Sequence, residues 1–168
     1  MPEQFLFTKE KGSLFNVKGW MKLLVKKSTP CYGNKNRNRN LKVRLMKIIE
    51  VKENKKQYLD LLLLADEQED MVDRYLDKGK MYVLDDNGVK CECVITDEKN
   101  DILEIKNIAT VPEYQGKGYA RALIEFVINN YRGKYSILQV GTGDSPLSIP
   151  FYEKCGLKPQ KVGMEMIL

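Results

Sequence analysis

Residues 101–140 read strand, glycine-rich turn, helix and strand in immediate succession, and no other stretch limits the fold as tightly. Along residues 101–111, Leu103, Ile105 and Ala109 fall on one face, and Ile102, Glu104, Lys106 and Ile108 on the other. Pro112 closes that strand because it has no N–H for a ladder. Residues 118–132 carry Ala120, Leu123, Ile124, Val127, Ile128 and Tyr131 as one apolar stripe at helical spacing, with Gly133 as the stop. Residues 135–140 are apolar at their centre (Ile137, Leu138, Val140), as befits a strand covered on both faces. Strand, helix and strand at this spacing make a right-handed crossover between parallel strands.

Upstream, the pattern is antiparallel. Residues 46–51 form a strand, and 55–65 and 68–78 carry apolar residues at helical spacing. Strands at 80–85 and 89–97 are joined by Asp86-Asn87-Gly88, a strong hairpin signal because both turn positions take positive φ. A turn at Lys99-Asn100 returns the chain into residues 101–111. The expected fold class is therefore α/β with a mixed (α+β) sheet: an antiparallel meander, then a parallel βαβ unit. Residues 146–155 are expected to be helical, either kinked at Pro150 or beginning near it.

The turn itself is Gln115-Gly116-Lys117-Gly118-Tyr119-Ala120. A helix entered through glycines leaves its first N–H groups without partners, aimed at one point. The helix dipole adds positive potential there, worth ~0.3–1 kcal/mol, and Lys117 and Arg121 reinforce it. An anion is the natural occupant. The P-loop pattern fails because Gly118 follows Gly116-Lys117 where Ser or Thr is needed, and the dinucleotide fingerprint fails because Arg121 holds its third glycine position.

Composition narrows the chemistry. The 168 residues suit one domain. No histidine is present, which removes Ser-His-Asp and Cys-His triads and His-ligated zinc; no metal is expected. Cys31, Cys91, Cys93 and Cys155 form no Cys-x-x-Cys pair and read as reduced, mostly buried thiols. No apolar run approaches the ~20 residues of a bilayer span, and no signal peptide is legible, so the cytoplasm is the expected location. Residues 1–40 hold nine Lys and Arg against two Glu, whereas the remainder holds nineteen against twenty-one acids. The basic character thus belongs to the N-terminal segment, which argues against a nucleic-acid-binding body. Residues 14–27 suit a short amphipathic helix, and 28–40 read as a disordered linker. Residues 1–45 are expected to be a flexible appendage dispensable for folding, and 46–168 the domain.

On Asn107-Ile108-Ala109-Thr110-Val111-Pro112, the turn at 115–120 and Phe151-Tyr152-Glu153-Lys154-Cys155-Gly156-Leu157, residues 46–157 resemble the GNAT superfamily of N-acetyltransferases, small bacterial type. The family's phosphate signature is met by Gln115, Gly118 and Ala120. The resemblance implies a GNAT-like acyl-CoA N-acyltransferase fold with a V-shaped cleft. It implies acetyl-CoA as acyl donor, its pantetheine along Ile108, Ala109 and Thr110 and its pyrophosphate over Gln115, Gly116, Lys117, Gly118, Tyr119 and Ala120. Ser145 stands where relatives have another coenzyme contact. Acetyl transfer needs a neutral amine, a site for the oxyanion and a proton for the departing thiolate. The resemblance points to Glu104 as general base and Tyr152 as proton donor to the sulfur.

The family ordinarily ends in a two-stranded hairpin that walls the acceptor site. Only eleven residues follow Leu157, and 162–168 are expected to supply at most one short strand. The appendage or a second subunit of a homodimer would then cover the edge. The acidic run Asp66, Glu67, Glu69, Asp70 and Asp73 reads either as a solvated helix face or as steering for a cationic amine. Two functions stay open: an N-acetyltransferase acting on a primary amine in a ternary complex, and an acyl-CoA-binding module without full catalysis.

Overall fold

The computed structural model describes residues 5–7, 14–16, 46–142, 147–160 and 163–168. Nine described strands form one sheet in the order β2-β1-β3-β4-β5-β6-β7-β9-β8. They are β1 (Phe5–Phe7), β2 (Leu14–Asn16), β3 (Met46–Val51), β4 (Lys80–Asp85), β5 (Val89–Glu98), β6 (Ile102–Thr110), β7 (Ile137–Val140), β8 (Lys158–Gln160) and β9 (Gly163–Ile167). The helices are α1 (Leu59–Leu62), α2 (Glu69–Leu76), α3 (Tyr119–Tyr131) and α4 (Ser148–Lys154). Every neighbouring pair is antiparallel except β6 and β7, which run parallel through the α3 crossover. The expected meander and βαβ unit are both present. None of the described helices is long and apolar enough to cross a membrane.

Each face of the sheet carries its own apolar cluster. On one, α3 lays Leu123, Ile124 and Val127 against Cys91, Cys93, Leu103, Ile105 and Leu138. Full burial of each such aliphatic side chain is worth about 1.5–3 kcal/mol. On the other, Leu62 of α1 and Val72 and Leu76 of α2 cover Met81, Val83 and Val94. Two phenols pin α3 at its ends. The Tyr82 and Tyr131 hydroxyls share a buried hydrogen bond of 2.7 Å, and Tyr119 donates to Asp86 Oδ2 at 2.7 Å. The glycine-rich turn that opens α3 is thereby fixed against the β4–β5 hairpin.

The β5–β6 ladder breaks once. Val94 pairs with Asn107 and Ile95 with Ile105, so Lys106 is an extra residue in β6, a β-bulge. The bulge exchanges the faces of the strand. Before it, Leu103 and Ile105 face α3; after it, Ile108 packs on that same cluster, while Asn107 reaches α1 and α2. The simple alternation therefore misplaces Ile108, which shares the face of Leu103 and Ile105 rather than that of Glu104. Burial still alternates along β6, because both faces are covered, and so gives no warning of the exchange. Pairing with β7 covers only Ile102 to Ile105, and the two strands part beyond the bulge to form the V-shaped cleft.

Three further expectations change. The eleven residues after Leu157 form two strands, not one: β9 pairs along the whole of β7, and β8 pairs with β9. The hairpin fits because β8 needs only three residues and no long loop joins it to α4. The helix expected over residues 55–65 shrinks to a 3₁₀ turn (Lys55–Tyr58) and α1, where Lys55 Nζ donates to the carbonyls of Leu76 and Gly79 at 2.7 and 2.6 Å. At residues 14–16, strand β2 replaces the start of an expected helix; β1 pairs with the outer edge of β3 and β2 with β1, because an open edge offers unpaired N–H and C=O groups. Residues 17–45, with the expected linker at 28–40, lie outside the described residues. Pro150 sits in the first turn of α4, where its missing N–H has no acceptor to lose.

Among the residues whose side chains are described, both apolar clusters are drawn from residues 46–168, and we propose that this part folds without residues 1–45. A chain beginning at Met46 should keep a cooperative thermal transition. Gly163 has φ of +121°, and a Cβ there would collide with the Val140 carbonyl oxygen. Gly163→Ala should accordingly loosen β9 from β7 and lower unfolding free energy by more than about 1 kcal/mol in urea titrations.

Candidate functional site

A cavity of about 600 Å³ opens where the end of β6, the N-terminus of α3 and α4 meet. Gly116 and Gly118 take φ of 71° and 88°, and a Cβ at either would find no atom within 4 Å. That open space lets an anion reach the backbone N–H groups that α3 cannot satisfy internally. Gly118 in the left-handed region turns the chain from the 3₁₀ segment Pro112–Tyr114 directly into α3. Gln115 Nε2 donates to the Thr110 carbonyl at 3.3 Å and ties the turn to the strand before it.

The cavity gathers Ile108, Thr110, Gln115, Gly116, Gly118, Tyr119, Ala120 and Tyr152 from the sequence-derived set. Three members of that set stand elsewhere: Lys117, Ala109 and Glu104. Lys117 folds back to donate to the Glu113 carbonyl at 2.7 Å, with its Nζ 4.7 Å from the Tyr114 ring centre, and does not line the cavity. Ala109 is buried and, one residue past Ile108, points to the opposite face. Ser145 lies outside the described residues. The wall also includes Tyr114, Arg121, Phe151 and Cys155. Arg121 supplies the cation at the turn, although its Nε holds Glu125 at 2.9 Å. Tyr114 was legible only as part of a loop, since the 3₁₀ segment that lifts its ring into the wall has no apolar period.

Tyr152 is 8% exposed, and burial raises its phenol well above the ordinary value, with Cys93 and Cys155 adding to the rise. The hydroxyl is therefore protonated at neutral pH, which is the state a proton donor needs.

Glu104 is on the other face of the sheet, at one of the last rungs where β6 and β7 still pair. One carboxylate oxygen meets Lys106 Nζ at 2.9 Å and the other accepts from Gln139 Nε2 at 2.7 Å. Lys106 also meets Glu98 at 3.2 Å. Burial pulls the Lys106 ammonium down, but hydrogen bonds to Glu104 and Glu98 outweigh it and hold the group above its usual range. The acidic run near α2 is largely occupied. Glu69 and Asp73 pair with Lys56 at 2.9 and 2.7 Å, and Asp66 accepts from Asn107 at 3.1 Å. No group of three or more metal-ligating side chains occurs among the described residues.

The family described as "Acetyltransferase (GNAT) domain" matches residues 77–159. An uncharacterized N-acetyltransferase of Bacillus subtilis (strain 168), YvbK, is 31% identical over 112 residues, covering 65% of this chain and 72% of that protein. The chain belongs to the GNAT superfamily of acetyltransferases. Its fold is similar to that of an IAA acetyltransferase from Bacillus cereus ATCC 14579 (28% identity, TM-score 0.68, covering 73% of this chain and 99% of that one). It is similar as well to a GNAT family acetyltransferase from Elizabethkingia anophelis determined with acetyl-CoA bound (25% identity, TM-score 0.69, covering 73% and 98%). The β8–β9 hairpin completes the GNAT domain at the edge where the sequence suggests a shortening.

Cys155 lines the cavity, but burial pushes its thiol up to about 11 against the opposing pull of Arg121. Thiolate is then scarce at neutral pH. Peptide-mapped iodoacetamide labelling of Cys155 should be slow at neutral pH and quicken toward pH 11, while the fully buried Cys91 and Cys93 label only on unfolding.

Proposed function

We propose that this GNAT domain transfers the acetyl group of acetyl-CoA to a primary amine by direct attack in a ternary complex. The observation that carries the reading is that the glycine turn at α3 and the protonated Tyr152 hydroxyl share one cavity with Ile108 and Thr110. The pyrophosphate sits over Gln115, Gly116, Gly118, Tyr119 and Ala120, with Arg121 beside it. Pantetheine runs along the edge of β6 past Ile108 and Thr110, where β7 has already turned away and leaves that edge without ladder partners. Tyr152 then gives its proton, or a hydrogen bond, to the departing sulfur.

Glu104 receives the amine proton from the opposite side of the splayed strands. Its contacts with Lys106 and Gln139 orient the carboxylate, which accepts the amine proton directly or through water. The acceptor enters between α1, α2 and the C-terminal strands. Walling of that side by β9 supports transfer over the reading as a donor-binding module.

Calorimetric titration with acetyl-CoA, followed by thiol release across a panel of primary amines, tests the whole reading. Binding without turnover on any amine favours the module, and no binding at millimolar donor sinks both. Tyr152→Phe should lower turnover roughly 100-fold, the scale of a lost general acid, with donor affinity nearly unchanged. Gly118→Ala should do the reverse, weakening donor affinity by about tenfold or more, since a Cβ in the left-handed turn both strains it and fills the anion's seat.

A further inference from the structure

Three buried side-chain oxygens among the described residues lack hydrogen-bond partners, and all three lie in one place: both carboxylate oxygens of Glu92 and Oδ1 of Asn107. Glu92 is wholly inaccessible on β5, and Asn107 is 2% exposed at the first position after the bulge. Glu92 pairs with Ala109 and Val94 with Asn107, so Glu92 and Asn107 are diagonal neighbours on the face of α1 and α2. Long side chains reach one another across such a diagonal.

The orientation of Asn107 is fixed by its own contacts. Its Nδ2 serves the Leu62 carbonyl at 3.0 Å, the Tyr75 hydroxyl at 2.8 Å and Asp66 Oδ2 at 3.1 Å. The carbonyl acceptor at Leu62 rules out the flipped amide, leaving Oδ1 in need of a donor. A carboxylate has none to offer, whereas a carboxylic acid has one. An orphaned buried pair of acceptors is costly, and one proton between them removes the conflict.

We propose that Glu92 is a positioning residue that is protonated in the working fold, donates to Asn107 Oδ1, and through Asn107 holds the Lys106 bulge against the α1–α2 connection. The bulge decides which residues of β6 face the donor cavity, so the proton on Glu92 sets the strand carrying Ile108 and Thr110. Other groups facing Glu92 favour the same state. Asp66 from the α1–α2 connection disfavours a second negative charge there, Tyr75 of α2 feels Glu92 in turn, and Cys91 and Cys93 on β5 are neutral thiols held so by burial. The Ala109 backbone alone pulls toward the ionised form, without forming a hydrogen bond of good geometry to either oxygen. Burial outweighs it, and the carboxyl is pushed up to about 8. The role toward the donor rests on the coenzyme reading above; the proton itself does not.

The test uses the full chain as wild type, Glu92→Gln and Glu92→Leu. Infrared difference spectra should show a protonated carboxyl stretch in the wild type at about pH 6.5 that fades by about pH 9.5 and is absent from Glu92→Gln. A carboxyl whose value is raised in the fold above its unfolded value contributes stability that is lost as pH climbs from the unfolded value toward about 8. The melting temperature of Glu92→Gln should therefore gain on wild type across that window and level off above it. Acetyl-CoA affinity by calorimetry should fall roughly five- to tenfold in wild type between about pH 6.5 and about pH 9.5, where the folded carboxyl loses its proton, the worth of one buried hydrogen bond. Glu92→Gln, which keeps a donor, should stay flat, and Glu92→Leu, which has none, should be weak at every pH. A carboxylate signature at pH 6.5, or a Glu92→Gln melting curve that tracks wild type, overturns the proposal even where Glu92→Leu fails to fold. Protonation with pH-independent donor affinity overturns only the link to the cavity. If acetyl-CoA fails to bind at any pH, the coenzyme reading falls while the infrared and melting results still decide the proton.

Discussion

One extra residue in β6 governs the geometry of this molecule. The Lys106 bulge ends the match between β6 and β5 at Ile105 and restarts it at Asn107, one face over. Without it, Ile108 would turn toward α1 and α2, and the donor cavity would lose the apolar floor it shares with α3. The bulge also falls where β6 and β7 separate, so a local irregularity in one ladder opens a cleft through the sheet. The residues proposed for the chemistry then divide between faces: Tyr152 and the glycine turn on the α3 side, Glu104 and its partners on the other.

Holding a bulge costs ladder hydrogen bonds, and the structure compensates on both sides. Lys106 is drawn to Glu104 and Glu98, and Asn107 is gripped by Leu62, Asp66 and Tyr75. The polar cluster behind the bulge includes a carboxyl group fully shielded from solvent. Such a group is tolerated when it is neutral and useful, and its position beside the β5–β6 register break gives it a use. The α3 helix is restrained in a similar manner by phenols at each end, which fixes the glycine turn against the β4–β5 hairpin.

Much of this could be read from residues alone. The Asn87-Gly88 hairpin, the α3 stripe and the turn at 115–120 are local: φ preferences and helical spacing act within a few residues, and the sequence carries them openly. Glu104 and Tyr152 followed from a resemblance, and the structure puts Tyr152 in the cavity while setting Glu104 across the sheet from it. Lys117 illustrates the opposite case. It belongs to the signature by position, yet its long side chain finds the Glu113 carbonyl and the Tyr114 ring, a choice no motif expresses. Glu92 was invisible because a single acid in an alternating strand reads as solvent-facing, and only the packing of α1 and α2 over β5 shows that the face is dry.

By itself the sequence determined the order of elements from β3 to α4, the crossover and the glycine-rich turn, since each depends on residues close together in the chain. Tertiary structure decided the rest. It found two strands in the eleven C-terminal residues, because β7 offered an edge that local propensity could not foresee. It placed the bulge, since a break in register is a relation between two strands and belongs to neither. And it buried Glu92 beside Asn107, where the shortage of partners arises only from what the fold brings near.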